Sequence, residues 1–410
     1  MQYDALVVGG GIQGAGVAQA AAAAGYRTLV LEMQHLAHGT SSRSSKLVHG
    51  GLRYLETGQL SLVAESLRER RYLLANAPGL VKLVPFYVPI YRTSRRRPWW
   101  VRSGLTLYSL LGGLREANRF RKLSRLEWAG LDGLRTTDLE CVFEYWDGQT
   151  NDAALTRAVM RSALELGAEL RCPAALVRAE REPDGYRIQY RHDDAIVATS
   201  ARVVFNAAGP WVSQVLACIQ PEPPALTVDF VAGSHVLLEG GLERGVYYTE
   251  APDDHRPVLL MPWEGNTLVG TTERPYDGDP GEVEPTDSEV EYLLRALRHC
   301  FPNFDAPEIA RFAGLRVLPR GRQGINQRPR ETLFHLDRPE APRLVTVAGG
   351  KLTGYRSTAA KAIQLVAASL PAASRRADTR SLRLPLEATP APGARSPSRS
   401  GGGPSPLNRP

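Results

Sequence analysis

Three glycines and one acid carry the first chemistry that can be read from this chain. Gly9, Gly11 and Gly14 fit the spacing G-x-G-x-x-G, and Glu32 ends the apolar run that follows. In such a pattern the first glycine permits a tight turn, the second lets backbone approach a pyrophosphate, and the third lets a helix pack on a strand. A carboxylate at the end of the next strand accepts the hydroxyls of an adenosine ribose. The elements needed to position these groups are present. Ala5 to Val8 is a short aliphatic run suited to a buried parallel strand. Ala15 to Ala24 is almost all Ala, Val and Gly, so it predicts a helix able to lie close to a sheet. The N–H groups and dipole at the start of that helix favour a phosphate. Gly25 stops the helix, and Thr28 to Leu31 predicts the second strand.

The chain has 410 residues, enough for one large or two medium domains with a sizeable core. The formal charge of +7 suggests nucleic acid until it is located. Residues 371–410 hold seven arginines and two acids, so +5 of that charge sits in the tail and the remainder is nearly neutral. Nucleic-acid binding is therefore not expected. Four cysteines (Cys141, Cys172, Cys218, Cys300) lie far apart, which suits reduced thiols in a cytoplasmic protein. The first strand begins at the N-terminus, leaving no room for a signal peptide, and no apolar run reaches the length of a membrane span.

Between Gln34 and Gly51 the chain shows no helical or strand period and is dense in His, Ser, Thr and Gly. Long irregular stretches in compact domains are usually functional or disordered, and the apolar Leu47-Val48 and aromatic Tyr54 argue for order. Its hydroxyls and N–H groups suit contacts to a diphosphate and a flat ring edge. The run Thr40-Ser41-Ser42-Arg43-Ser44-Ser45-Lys46-Leu47-Val48-His49-Gly50-Gly51-Leu52-Arg53-Tyr54-Leu55-Glu56 resembles the flavin-contacting segment of FAD-dependent, quinone-reducing glycerol-3-phosphate dehydrogenases. The resemblance continues through Gly233-Ser234-His235, Gly314-Leu315-Arg316-Val317-Leu318-Pro319 and Gly349-Gly350-Lys351-Leu352-Thr353, in register from Tyr3 to about Leu370.

That resemblance implies an α/β fold: an FAD-binding Rossmann-like domain of the glutathione reductase and D-amino-acid oxidase type, with an antiparallel sheet as substrate-binding cap. FAD, held non-covalently, would contact Gly9, Gly11, Ile12, Gln13, Gly14, Glu32, Thr40, Ser41, Ser42, Ser45, Lys46, Leu47, His49, Gly50, Gly51, Val177, Ala208, Gly209, Gly350, Lys351, Leu352 and Thr353. The implied reaction oxidises sn-glycerol 3-phosphate to dihydroxyacetone phosphate and passes electrons to membrane quinone. Gripping a phosphate dianion calls for fixed, forked cations, and the resemblance gives this role to Arg53 and Arg316, with Lys351 beside the flavin. A further phosphate-binding arginine of the family has no clear counterpart here, and Arg328 or Arg330 is left to fill the role. His235, a polar residue within the apolar run Val228 to Leu238, is the best candidate for the base, and Tyr54 for orienting substrate. The other histidines form no cluster, so no metal is expected. Two alternatives stand beside this reading: an oxidase of the same fold that uses oxygen, and an inactive flavoprotein that binds FAD or membrane without turnover.

The expected organisation places the FAD domain in residues 1–75, 146–212 and 341–370, and the substrate cap in 213–340. Residues 76–145 form a further cap segment. Within it, Arg92 to Leu111 combines five arginines, the Trp99-Trp100 pair and an apolar stretch, which suits a helix lying in a membrane interface. With the family's habit, this predicts a peripheral enzyme on the cytoplasmic face of the inner membrane, with a homodimer among the assemblies to test. Residues 371–410 are rich in Pro, Ser, Gly and Arg and are expected to be disordered, in place of the helical C-terminal domain of the family.

Overall fold

The computed structural model describes residues 1–320 and 332–386. Its first sheet is built around Tyr3–Val8, in which Ala5, Leu6 and Val7 are shut off from water on both faces of the sheet. This strand pairs in parallel with Thr28–Leu31 on one side and Ala195–Asn206 on the other. Leu344–Ala348 then adds in parallel to Ala195–Asn206, so the late chain returns to the sheet where the chain began. Antiparallel strands Ala174–Glu182 and Gly185–His192 extend it, and among the described residues the sheet has nine strands.

The helix Ile12–Ala23 runs almost wholly buried, and its small residues are the reason it can. A Cβ on Gly14 would overlap the Gly9 carbonyl oxygen, and one on Gly16 would stand 2.7 Å from the Tyr355 ring. Helices Asp152–Glu165 and Tyr355–Leu365 pack into the same apolar cluster.

The second sheet is mainly antiparallel and has ten strands among the described residues. Its long pairs are Val81–Tyr91 with Leu139–Thr150 and Val228–Leu238 with Glu308–Pro319. Pro257–Trp263 and Asn266–Gly270 form a hairpin across Glu264 and Gly265, both at positive φ (50° and 79°), as a two-residue turn requires. Helix Asp287–Cys300 covers one face through Val290, Leu293, Ala296 and Leu297. It opens on a capping box between Thr286 and Glu289, worth about 1 kcal/mol.

Residues 76–145 lie in the cap, where Val246–Glu250 pairs in parallel with Val81–Tyr91 and joins both parts of the cap in one sheet. Two expectations about organisation change. Leu333–Leu336, expected in the cap, pairs instead with Leu344–Ala348 in the first sheet. The tail does not leave the fold at residue 371. Arg376 donates its backbone N–H to the Ala23 carbonyl (2.7 Å), Leu384 donates to that of Asn76 (2.7 Å), and the Leu384 side chain is buried. Residues 371–386 thus follow the back of the first domain by backbone hydrogen bonds, which their composition does not reveal.

Candidate active site

The first glycine turn, the serine-rich run and the late glycine pair all converge on one cavity of about 530 Å³, lined from both sheets. That is the size range of a cofactor or ligand site. At one end Gly9, Gly11 and the start of the Ile12–Ala23 helix face it, and Glu32 stands behind the turn. The Glu32 carboxylate accepts the Gly10 N–H at 2.6 Å and the Gln34 N–H at 2.8 Å, so it shapes the turn as well as facing the cavity. Ser41 accepts the Ile12 N–H at 2.9 Å, and Thr40 donates to the Leu315 carbonyl at 2.7 Å, so the run from residue 40 stitches the two sheets together.

The opposite end gathers the charged groups. Arg316 Nη1 lies 2.9 Å from Glu273 Oε1, and Arg53 Nη1 lies 3.7 Å from the same oxygen. Arg256 reaches the other oxygen at 2.9 Å, and the Glu273 side chain is only 3% exposed. One buried carboxylate therefore ties three guanidinium groups. His235 is buried beside them, stacks on Phe312 (ring centroids 4.9 Å apart) and shares a hydrogen bond between Nε2 and Ser45 Oγ at 2.9 Å. Burial, then the charges of Arg316 and Lys46, push its pKa down to about 3. The Lys351 ammonium sits over the Tyr54 ring.

A match over most of the chain decides its family. Residues 4–367 fit the model of the FAD dependent oxidoreductase (DAO) family. The chain belongs to that family. A glycerol-3-phosphate dehydrogenase of Pseudomonas aeruginosa is 36% identical over 88% of this chain and 71% of its own length. A D-erythritol 1-phosphate dehydrogenase of Brucella abortus is 35% identical over 87% and 72%. The crystal structure of the glycerol-3-phosphate dehydrogenase from Bacillus halodurans complexed with FAD superposes with a TM-score of 0.70 at 27% identity, covering 93% of this chain and 68% of that one. The fold is thus that of an FAD-dependent oxidoreductase, and the cofactor is FAD.

Within this member of the DAO family, several residues singled out from the sequence line the cavity: Gly9, Gly11, Ile12, Gln13, Glu32, Thr40, Ser41, Ser45, Leu47, His49, Ala208, Gly209 and Gly350 to Thr353. Tyr54, His235 and Arg316 line it too. Others have a different place. Lys46 turns away, donating to the Ser42 carbonyl at 2.6 Å and pairing with buried Asp152 at 2.8 Å. The following helix is capped by Asn151, which leaves the Asp152 carboxylate for this pairing. Ser42 donates to the Gly39 carbonyl, and Gly14 serves the turn packing described above. Gly50 and Gly51 face aromatic side chains of the protein, since a Cβ on them would run into Tyr108 Oη and the Tyr54 ring respectively. Val177 is exposed, and its neighbours Ala174, Ala175 and Leu176 line the cavity in its place. Arg53 reaches the site through Glu273 rather than along the cavity wall. Arg328 and Arg330 lie outside the described residues.

Sequence reasoning missed Glu273 and Asp152, the two buried carboxylates that hold the cations of this region. It also passed over Arg43, Ser44 and Thr271 of the lining. No local signal in Thr271-Thr272-Glu273-Arg274 marks the acid as buried.

Proposed function

We propose that this protein oxidises sn-glycerol 3-phosphate to dihydroxyacetone phosphate. The observation that carries this reading is that Arg316 and His235 line one end of a cavity whose other end begins at the glycine turn, with Arg53 drawn up beside Arg316 by their shared Glu273. The relatives named above point to the same class of phosphorylated polyol.

The lining fits FAD. Gly9, Gly11 and the helix N-terminus would take the pyrophosphate, Glu32 the ribose, and Gly350 to Thr353 the far end of the cofactor. When bound, FAD supplies the acceptor for the hydride that leaves C2 of the substrate. The arginine pair binds the phosphate dianion, and Lys351 adds positive charge next to Tyr54. Tyr54 orients the substrate. His235, kept neutral by burial and by neighbouring cations, is the group proposed to take the hydroxyl proton.

Electrons then pass to quinone at a membrane surface. Helix Pro98–Leu111 supports this, because Trp99, Trp100 and Leu110 are exposed on it while Arg92, Arg95, Arg97 and Arg102 flank the pair. The proposed attachment is peripheral, on the cytoplasmic face of the inner membrane; among the described residues no helix is long and apolar enough to cross a membrane.

The test is anaerobic addition of glycerol 3-phosphate to the purified holoenzyme. Loss of the oxidised-flavin absorbance is expected, and Arg316→Ala should prevent it. A wild-type flavin that stays oxidised rejects the reading. Running D-erythritol 1-phosphate in parallel separates the two polyol phosphates, and peroxide release in air would identify an oxidase.

A further inference from the structure

The short turn Leu52–Thr57 carries both Arg53 and Tyr54, and it is fastened from outside by the helix Pro98–Leu111. Three independent ties hold the two together. Leu52, Tyr54 and Leu55 pack into the same apolar cluster as Val101, Leu105 and Tyr108 of the helix. At the start of the helix, Arg96 forks onto Glu56: Nη2 meets Oε2 at 3.0 Å and Nε meets Oε1, while Nη1 meets Glu250 at 2.8 Å. At its far end, Tyr108 Oη accepts the Gly50 N–H at 2.9 Å and donates to Asp147 Oδ2 at 2.5 Å. Asp147 is itself fixed by Arg70, whose Nη1 lies 2.5 Å from Oδ1, and all three of these side chains are buried.

The segment from Gly50 to Thr57 is thus pinned at both ends. Only a glycine fits at position 50, because any Cβ would displace the Tyr108 hydroxyl. Arg53 and Tyr54 lie between the pins and are partly exposed. Their reach is what the site depends on: Arg53 to the carboxylate it shares with Arg316, and Tyr54 to the face it presents to Lys351. A side chain positioned to better than about an ångström contributes far more to binding than one left to find its place.

We propose that Arg96 and Tyr108 are positioning residues for the anionic end of the substrate, acting through Glu56 and Gly50 on Arg53 and Tyr54. The proposal rests on the phosphate-binding role given to Arg53 above. The pin at Glu56 is the safer one to cut, because that side chain is 33% exposed and its loss leaves no buried group unpaired. The Tyr108 pin is buried, but Tyr108→Phe leaves the Gly50 N–H with Asp147 Oδ2 as a second acceptor at 3.3 Å.

The experiment compares FAD-loaded wild type, Glu56→Ala, Glu56→Gln and Tyr108→Phe, assayed with glycerol 3-phosphate and a dye acceptor. Inorganic phosphate, titrated by its perturbation of the visible spectrum, reads the same site without turnover. Glu56→Ala and Tyr108→Phe should raise KM and the phosphate Kd about tenfold with kcat nearly unchanged. FAD content should not change, and Glu56→Gln should recover part of the loss. In an Arg53→Ala background Glu56→Ala should add clearly less than it does alone, because one of the two residues through which it acts is gone. Unchanged KM and phosphate Kd in both variants overturn the proposal, as does full additivity with Arg53→Ala or a loss explained by lower FAD content. A wild type that binds phosphate but ignores glycerol 3-phosphate sinks the functional reading and leaves the phosphate titration to decide this one. A wild type that binds neither overturns both.

Discussion

The Lys351 ammonium stands 3.6 Å from the centroid of the Tyr54 ring. That contact joins the late glycine segment to the early serine-rich run, and it sets a cation against an aromatic face at the wall of the cavity. Cation–π pairs contribute about 0.5–2 kcal/mol, the larger values when desolvated. Tyr54→Phe keeps the ring and should hold KM for the phosphorylated substrate within about twofold of wild type if orientation is supplied by the face alone. Tyr54→Leu removes the face and should raise KM about tenfold. Steady-state assays of the two variants decide it. Equal effects would show that the hydroxyl, not the ring, is what the site uses.

The Lys46–Asp152 pair predicts a stability effect where the sequence suggested a cofactor contact. Lys46 is 9% exposed and Asp152 fully buried, and Ser44 donates to Asp152 through both its N–H (3.0 Å) and its hydroxyl (2.7 Å). Removing one partner of such a pair typically costs about 3–5 kcal/mol, because the other charge stays buried. Lys46→Met should therefore lower the melting temperature of the apoprotein by several degrees. FAD release should follow from slackening of residues 40–45 rather than from a lost contact. Thermal denaturation with and without added FAD separates these: a variant with wild-type apoprotein stability and weakened FAD binding would restore Lys46 as a direct ligand.

His235 makes a prediction about pH. Burial and two cations hold its folded pKa at about 3, below the ordinary value of 6.5 that it regains on unfolding. The unfolded chain then binds the extra proton more readily. The stability from burying the neutral ring is complete above pH ~6.5 and is lost as pH falls from there toward about 3. His235→Gln should flatten that acid slope in denaturant titrations. In kinetics, His235 stays neutral through the working range. Any acid limb of kcat/KM near pH ~6 then belongs to the second ionisation of the substrate phosphate. His235→Gln should lower kcat about 10²–10⁴-fold without moving that limb. A limb that vanishes in the variant would assign it to the imidazole.

What could be read in advance follows the range of each interaction. Gly9, Gly11, Gly14 and Glu32 act within one strand-turn-helix-strand unit, so their types and spacing state their purpose. Leu344–Ala348 was legible because an aliphatic run before a glycine pair is also a local signal. Glu273 was not, since its burial depends on Arg53, Arg256 and Arg316 arriving from three other places in the chain. Lys46 and Asp152 meet across 106 residues, and neither position carries a mark of the other. Gly50 and Gly51 show the limit of reading glycines: they were expected against the flavin, and what stands where their side chains would be is Tyr108 and Tyr54. The tail to residue 386 is held largely through backbone groups that any sequence possesses, with Leu384 as a single buried side chain in a polar stretch.

The exposed tryptophans carry the last prediction. Trp99 is 66% exposed and Trp100 48%, edge to face with ring centroids 5.6 Å apart. Two such rings left in water forgo several kcal/mol of burial, of order 25 cal/mol per Å² of apolar area, which an interface would recover. Arg96 does not belong to that surface, because Glu56 and Glu250 already hold it. A variant that removes Arg96 would disturb the turn bearing Arg53 and confuse two effects. Trp99→Ser with Trp100→Ser leaves the pins at Glu56 and Gly50 in place. The double variant should move from pellet to supernatant when sedimented with anionic vesicles, while dye-linked activity in solution stays near wild type. High salt should weaken wild-type binding only in part, since apolar burial is not screened as the arginine charges are. Sedimentation unchanged by the two substitutions would remove this helix as the point of membrane contact.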